Sequence, residues 1–144
     1  MQNPPPYPPN YPPPQPPNQG TFGLAPNVAS LICYIPCCIG LIASIVFIIT
    51  EKYNRLVRFH AMQSIIFHAA LIGLGIVINI VSIVVSQVSG ALGALVGLFS
   101  WIIGLITLAV SILLMIKANA GEMYKLPTIG DMAERYSQPA GPGY

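Results

Sequence analysis

Charge is what this sequence has least of. Lys, Arg, Asp and Glu together make up 7% of its 144 residues, where a soluble domain carries about 25%. None occurs before Glu51, and none between Arg58 and Lys117. A water-soluble fold this poor in charge would have too little polar surface to stay dispersed. Cysteine is scarce as well. Cys33, Cys37 and Cys38 form a C-x-x-x-C-C run without the usual two-residue spacing, and no second ligand pair follows, so no metal site is expected. Nothing in the chain pairs a nucleophile with a base, cradles a phosphate or sets two carboxylates in an apolar pocket. No catalytic residue, no cofactor and no nucleic-acid partner is therefore expected, and the protein is expected not to be an enzyme.

What the sequence does have is three long apolar blocks. A bilayer core about 30 Å thick takes roughly 20 residues of helix. Residues 31–50 are uncharged, with eleven Leu, Ile, Val or Phe; residues 65–85 have fourteen, and residues 91–116 have fifteen. The expected fold is all-α: a membrane domain over residues 28–136 with three spans in a bundle. Asn54 suits a helix N-cap, and no Pro or Gly follows until Gly73. One long helix is expected from there to about Val85. Residues 86–90 make a tight link, so spans two and three are expected to be antiparallel. A turn is expected near Gly121 and Pro127, then an interfacial segment over 122–136 with Tyr124 and Tyr136 at headgroup level.

Three spans put all six Lys/Arg on one face and none on the other. The positive-inside rule then predicts a multi-pass protein of the cell membrane, N-terminus outside and C-terminus cytoplasmic. Residues 1–27 are read as a disordered tail, with ten prolines in the first twenty residues. Residues 137–144 are read as a loose end. The tail holds Pro4-Pro5-Pro6-Tyr7 and Pro8-Pro9-Asn10-Tyr11, which fit the pattern bound by WW domains. With the tail outside, a solvated spacer is the expectation.

Phase at 100° per residue sorts the polar residues inside the spans. Gly93, Gly97, Ser100, Gly104, Thr107 and Ser111 form a seam of small residues on span three, of the kind that lets helices pack closely. Ser30, Cys33, Cys37, Gly40 and Ser44 form a stripe on span one, subject to a kink at Pro36. His60, Ser64, His68, Gly75, Asn79, Ser82 and Ser86 line one side of helix two. The expectation is a tight bundle with these seams inward. The alternative is a polar path lined by His60, His68 and Asn79.

Two stretches carry a resemblance. Asn54-Arg-Leu-Val-Arg-Phe-His-Ala-Met-Gln-Ser64 and Tyr124-Lys-Leu-Pro-Thr-Ile-Gly-Asp-Met-Ala-Glu134 resemble the paired signatures of a small prokaryotic membrane-protein family of unknown function. That family is similar to the Tic-twenty group of chloroplast import components. The resemblance marks Arg55, Arg58, Phe59, His60, Gln63, Leu126, Pro127, Gly130, Asp131 and Glu134 as signature positions. It implies a polytopic membrane protein, and the residues themselves lead to the expectation of one acting through packing and partners, with lipid, a second copy or another membrane protein as partner. The alternative it implies is a transport or translocation component. Span three returns to the level where helix two begins, so a pair between Arg58 and Asp131 or Glu134 is expected to clamp the C-terminal segment onto the bundle.

Overall fold

The computed structural model describes residues 21–36, 38–52 and 54–138. The Pro-Pro-x-Tyr motifs, Cys37 and the last six residues lie outside the described residues. Five α-helices make up the described chain: α1 (Pro26–Ile32), α2 (Cys38–Thr50), α3 (Arg55–Val88), α4 (Gly90–Asn119) and α5 (Ile129–Ser137).

Two of these helices, α3 and α4, are long and apolar enough to cross a membrane. At 1.5 Å per residue they run about 51 and 45 Å. α3 begins where expected: the Asn54 side chain accepts hydrogen bonds from the Leu56 and Val57 N–H groups, at 3.1 and 3.3 Å. Ser89 alone separates α3 from α4, and the two pack as antiparallel neighbours. α4 ends in a Schellman turn. Gly121 takes the left-handed φ of 75°, its N–H reaches the Ala118 carbonyl, and the Glu122 N–H reaches the Lys117 carbonyl. That geometry favours glycine and sends the chain back across the start of α3.

The first apolar block is not one continuous span. It breaks after Ile32, before Pro36 can enter a helix interior, where it would remove a hydrogen bond and clash with the preceding turn. α2 is left with 13 residues, about 20 Å, short of a bilayer core. α1 and α2 fold as a hairpin whose two ends lie together. Asn27 Nδ2 donates to the Asn119 carbonyl at the end of α4 (3.2 Å). The Phe22 and Phe47 rings, before α1 and near the end of α2, lie 6.3 Å apart. The block therefore enters and leaves at the end of the bundle where α3 starts and α4 stops. The start of the described chain and the end of α4 therefore lie at the same end of the bundle, a placement to which the charge split is blind because a segment without Lys or Arg weighs nothing in it.

A break inside an apolar layer leaves backbone groups that must be satisfied by protein. The Cys33 carbonyl accepts from Ser64 Oγ at 2.6 Å and lies 3.4 Å from Ser44 Oγ. Gly40 lets α2 pass close over the turn: a Cβ there would collide with the Ile35 carbonyl and lie 2.7 Å from that of Cys33. The core sits at this end of the molecule, with Ala29, Cys33, Tyr34, Phe47, Val57, Ala61, Leu114 and Ala118 packed together. Further along, α3 and α4 continue as a two-helix hairpin. Ile80, Ile83, Leu98 and Trp101 there are all more than half exposed.

Candidate functional site

The first turns of α3 carry a fully buried polar cluster. His60 and Gln63 are 0% exposed and Tyr34 is 1% exposed. Phe59, equally buried, sets its ring edge-on to His60, centroids 5.2 Å apart. His60 Nε2 lies 3.0 Å from the Glu122 carbonyl and Nδ1 lies 3.0 Å from Tyr34 Oη. A carbonyl only accepts, so Nε2 carries the proton and Nδ1 accepts from the tyrosine hydroxyl. Gln63 Nε2 donates to Tyr34 Oη (3.0 Å) and to the Tyr124 carbonyl (3.1 Å). Gln63 Oε1 accepts the Leu126 N–H at 3.3 Å. Every donor finds an acceptor, and two side chains of α3 hold the segment after α4 by three of its backbone groups.

The charged residues form a second layer. Glu134 on α5 pairs with Arg55 at 2.9 Å and Lys125 at 2.7 Å, and Lys125 also reaches Asp131 at 3.4 Å. The hydrogen bond to Lys125 holds the Glu134 carboxyl below the usual carboxylate range, and the same bond raises Lys125 above the usual lysine value. A lowered carboxyl favours the folded form above its ordinary titration range and loses that contribution as pH falls through the lowered value. Gly130 closes the loop: a Cβ there would lie 2.5 Å from Lys125 Cβ.

Arg58 does not make the expected pair with Asp131 or Glu134. Its Nε donates to the Ser137 carbonyl at 3.0 Å, and its Nη1 donates to the Glu51 carbonyl at 2.7 Å and lies 3.4 Å from that of Ile48. One guanidinium thus covers the C-terminal ends of α2 and α5, where carbonyls are left over and the helix dipole favours a cation. The charge-based expectation matched Arg with carboxylates. The side chain one helical turn on from Asn54 meets helix ends instead, and the carboxylate falls to Arg55.

Residues 19–133 match the magnetosome magnetite crystal formation protein family, MamF/MmsF. The chain belongs to this family. Three archaeal relatives agree in class. A UPF0132 membrane protein of Methanocaldococcus jannaschii is 38% identical over 122 residues, spanning 82% of this chain and 94% of the relative. A second from the same organism is 34% identical, spanning 79% and 71%. One from Archaeoglobus fulgidus is 34% identical, spanning 76% and 92%. No solved structure matches the chain. The family and the two long apolar helices make this a membrane protein of a small prokaryotic family.

Of the ten signature positions, Arg55, Arg58, Phe59, His60, Gln63, Leu126, Gly130, Asp131 and Glu134 meet in one assembly, and Pro127 turns the chain into α5. Tyr34, Lys125 and Ser137 belong to it too and were missed. Tyr34 sits inside an apolar block, where a tyrosine hydroxyl needs a partner once buried; that was the available signal. The polar side of α3 divides into parts. His60 and Ser64 hold backbone, while Asn79 bonds its own helix at the Gly75 carbonyl. Of the seam on α4, a Cβ at Gly93 would lie 2.9 Å from Ser86 Cβ, but nothing lies within 4 Å of one at Gly97 or Gly104. Among the described residues no group of three His, Cys, Asp or Glu could hold a metal ion.

Proposed function

We propose that the protein is a non-enzymatic organiser of the membrane, acting by self-association through the α3–α4 hairpin. The observation that carries this reading is the exposed hairpin beyond the core, with open space at Gly97. Small residues without an intrachain neighbour suit close approach by another helix, and a second copy brings the same seam. The family's name refers to magnetite crystal formation in magnetosomes; a self-associating membrane protein is the part of such a role that this geometry supports. In mild detergent the chain should run as an oligomer, and Gly97→Leu should shift it to monomer with an unchanged unfolding temperature. A wild type monomeric at every concentration would remove this reading.

The same reading places the end with all six Lys/Arg in the cytoplasm, in the cell membrane, with α1–α2 as a re-entrant hairpin and the start of the described chain on the cytoplasmic side. Single cysteines at Thr21, Ser89 and Gln138, in a cysteine-free background, should then separate under an impermeant thiol reagent added outside. Only Ser89 should label. Labelling at both Thr21 and Ser89 would restore three spans.

A translocation component, as the Tic-twenty resemblance implies, is a second reading. The broken α1–α2 hairpin favours it, because transporters use broken helices at membrane depth.

A further inference from the structure

Beside the tip of the α1–α2 hairpin, α2, α3 and α4 border an open-sided cavity of about 450 Å³, within the range of small-molecule sites. Most of its wall is apolar. Its polar groups come from His68, Thr107 and Ser111, and no charged residue lines it. His68 lies fourteen residues beyond Asn54, about 21 Å along α3. This is the level of the acyl chains if the charged end sits among headgroups.

The hydrogen-bond inventory singles out these three side chains. Ser64 Oγ gives its proton to the Cys33 carbonyl. His68 Nδ1 must then be the donor to the Ser64 carbonyl at 2.8 Å, with Ser64 Oγ at 3.1 Å as a weaker second acceptor. With the Nδ1 proton so placed, Nε2 is left as an acceptor, and it has no partner among the described residues. Ser44, Thr50 and Ser100 each bond the carbonyl four residues back, as hydroxyls in apolar helices do. Among the described residues, Thr107 and Ser111 make no such bond and no other. Ser111 is nonetheless buried, 6% exposed, and lines the cavity. Three polar groups thus remain unspent around an uncharged space, where each would gain from a partner.

We propose that this cavity binds an uncharged, hydroxyl-bearing apolar molecule of the bilayer, of the prenyl alcohol or reduced quinone kind. Its hydroxyl donates to His68 Nε2 and accepts from Thr107 and Ser111. Phosphate-bearing lipids do not fit, because no cation stands in the wall and their headgroups sit at the surface. The apolar remainder leaves past Ile72 and Leu108, which line the cavity and are 53% and 43% exposed.

Farnesol, its methyl ether and decylubiquinol are suitable probes, measured by native mass spectrometry or competitive photolabelling on the full chain in detergent. At least one of the two hydroxyl compounds should bind saturably, and which one does assigns the source. The ether should bind at least tenfold more weakly than farnesol if farnesol is the ligand, and oxidised decylubiquinone more weakly than the quinol if the quinol is. The pair Thr107→Val and Ser111→Ala removes no intrachain hydrogen bond, so it should keep the wild-type unfolding temperature and weaken binding at least tenfold. Saturation by neither compound, or binding indifferent to the hydroxyl, overturns the proposal. Gly97→Leu should leave this binding intact, so failure here and failure of the self-association reading are separable.

Discussion

Gln63→Leu should cost about 2–4 kcal/mol of stability in detergent, among the largest losses for any single side chain here. The substitution removes one donor from Tyr34 Oη, another from the Tyr124 carbonyl, and the acceptor for the Leu126 N–H. A buried polar group left without a partner costs about 1–3 kcal/mol. The full sum of three is not expected, because residues 124–126 can swing out to water. That relief has a visible consequence: the bond after Lys125 should become much more sensitive to trypsin. Gln63→Glu is a sharper comparison. It keeps an acceptor for Leu126, loses both donors and sets a carboxylate against Tyr34 Oη and the Tyr124 carbonyl. It should be at least as damaging at neutral pH. Wild-type trypsin resistance in Gln63→Leu would show that the segment after α4 is held by its ion pairs instead.

Arg58→Met should cost a similar amount, about 2–4 kcal/mol, at one to two charged hydrogen bonds of about 1.5–3 kcal/mol each. Methionine keeps an apolar stem, so the loss isolates the guanidinium. Arg58→Lys should fall between, because one ammonium lacks the planar fork needed to reach α2 and α5 together. Arg55→Ala is the contrasting case. Its ion pair with Glu134 has an arginine side chain 59% exposed, and such pairs contribute about 0–1 kcal/mol. The ranking Met, Lys, then Arg55→Ala in order of damage can be read from unfolding midpoints and from cleavage after Arg135. An Arg55→Ala variant weaker than Arg58→Met would return the clamp to a carboxylate pair.

Much of this was legible in the residues. Helix type and the extents of α3 and α4 follow from local rules. Uncharged runs of more than twenty residues need helical hydrogen bonding, Asn54 caps α3, and Gly121 ends α4 in the conformation glycine takes at least cost. The two signature motifs were also readable as partners, because antiparallel spans of similar length return the chain to the same level.

Three things were decided only by tertiary structure. Length and hydropathy could not separate one continuous helix from a broken pair of helices in residues 31–50. The difference lies in whether a break after Ile32 can be satisfied, and Ser64, thirty-one positions beyond Cys33, supplies the hydrogen bond to the Cys33 carbonyl. Nor could sequence spacing choose between Arg55 and Arg58 as the partner of Glu134. The two arginines are three positions apart on one helix, and the reach of each depends on where α2 and α5 end. The seam on α4 was periodic in sequence, yet of its glycines only Gly93 meets α3 closely, and Gly97 is left open. Local sequence determined the helices and their caps, because those depend on neighbours within a turn or two. Which polar groups are spent inside the chain and which remain for a ligand or a second copy depends on contacts between helices far apart in sequence.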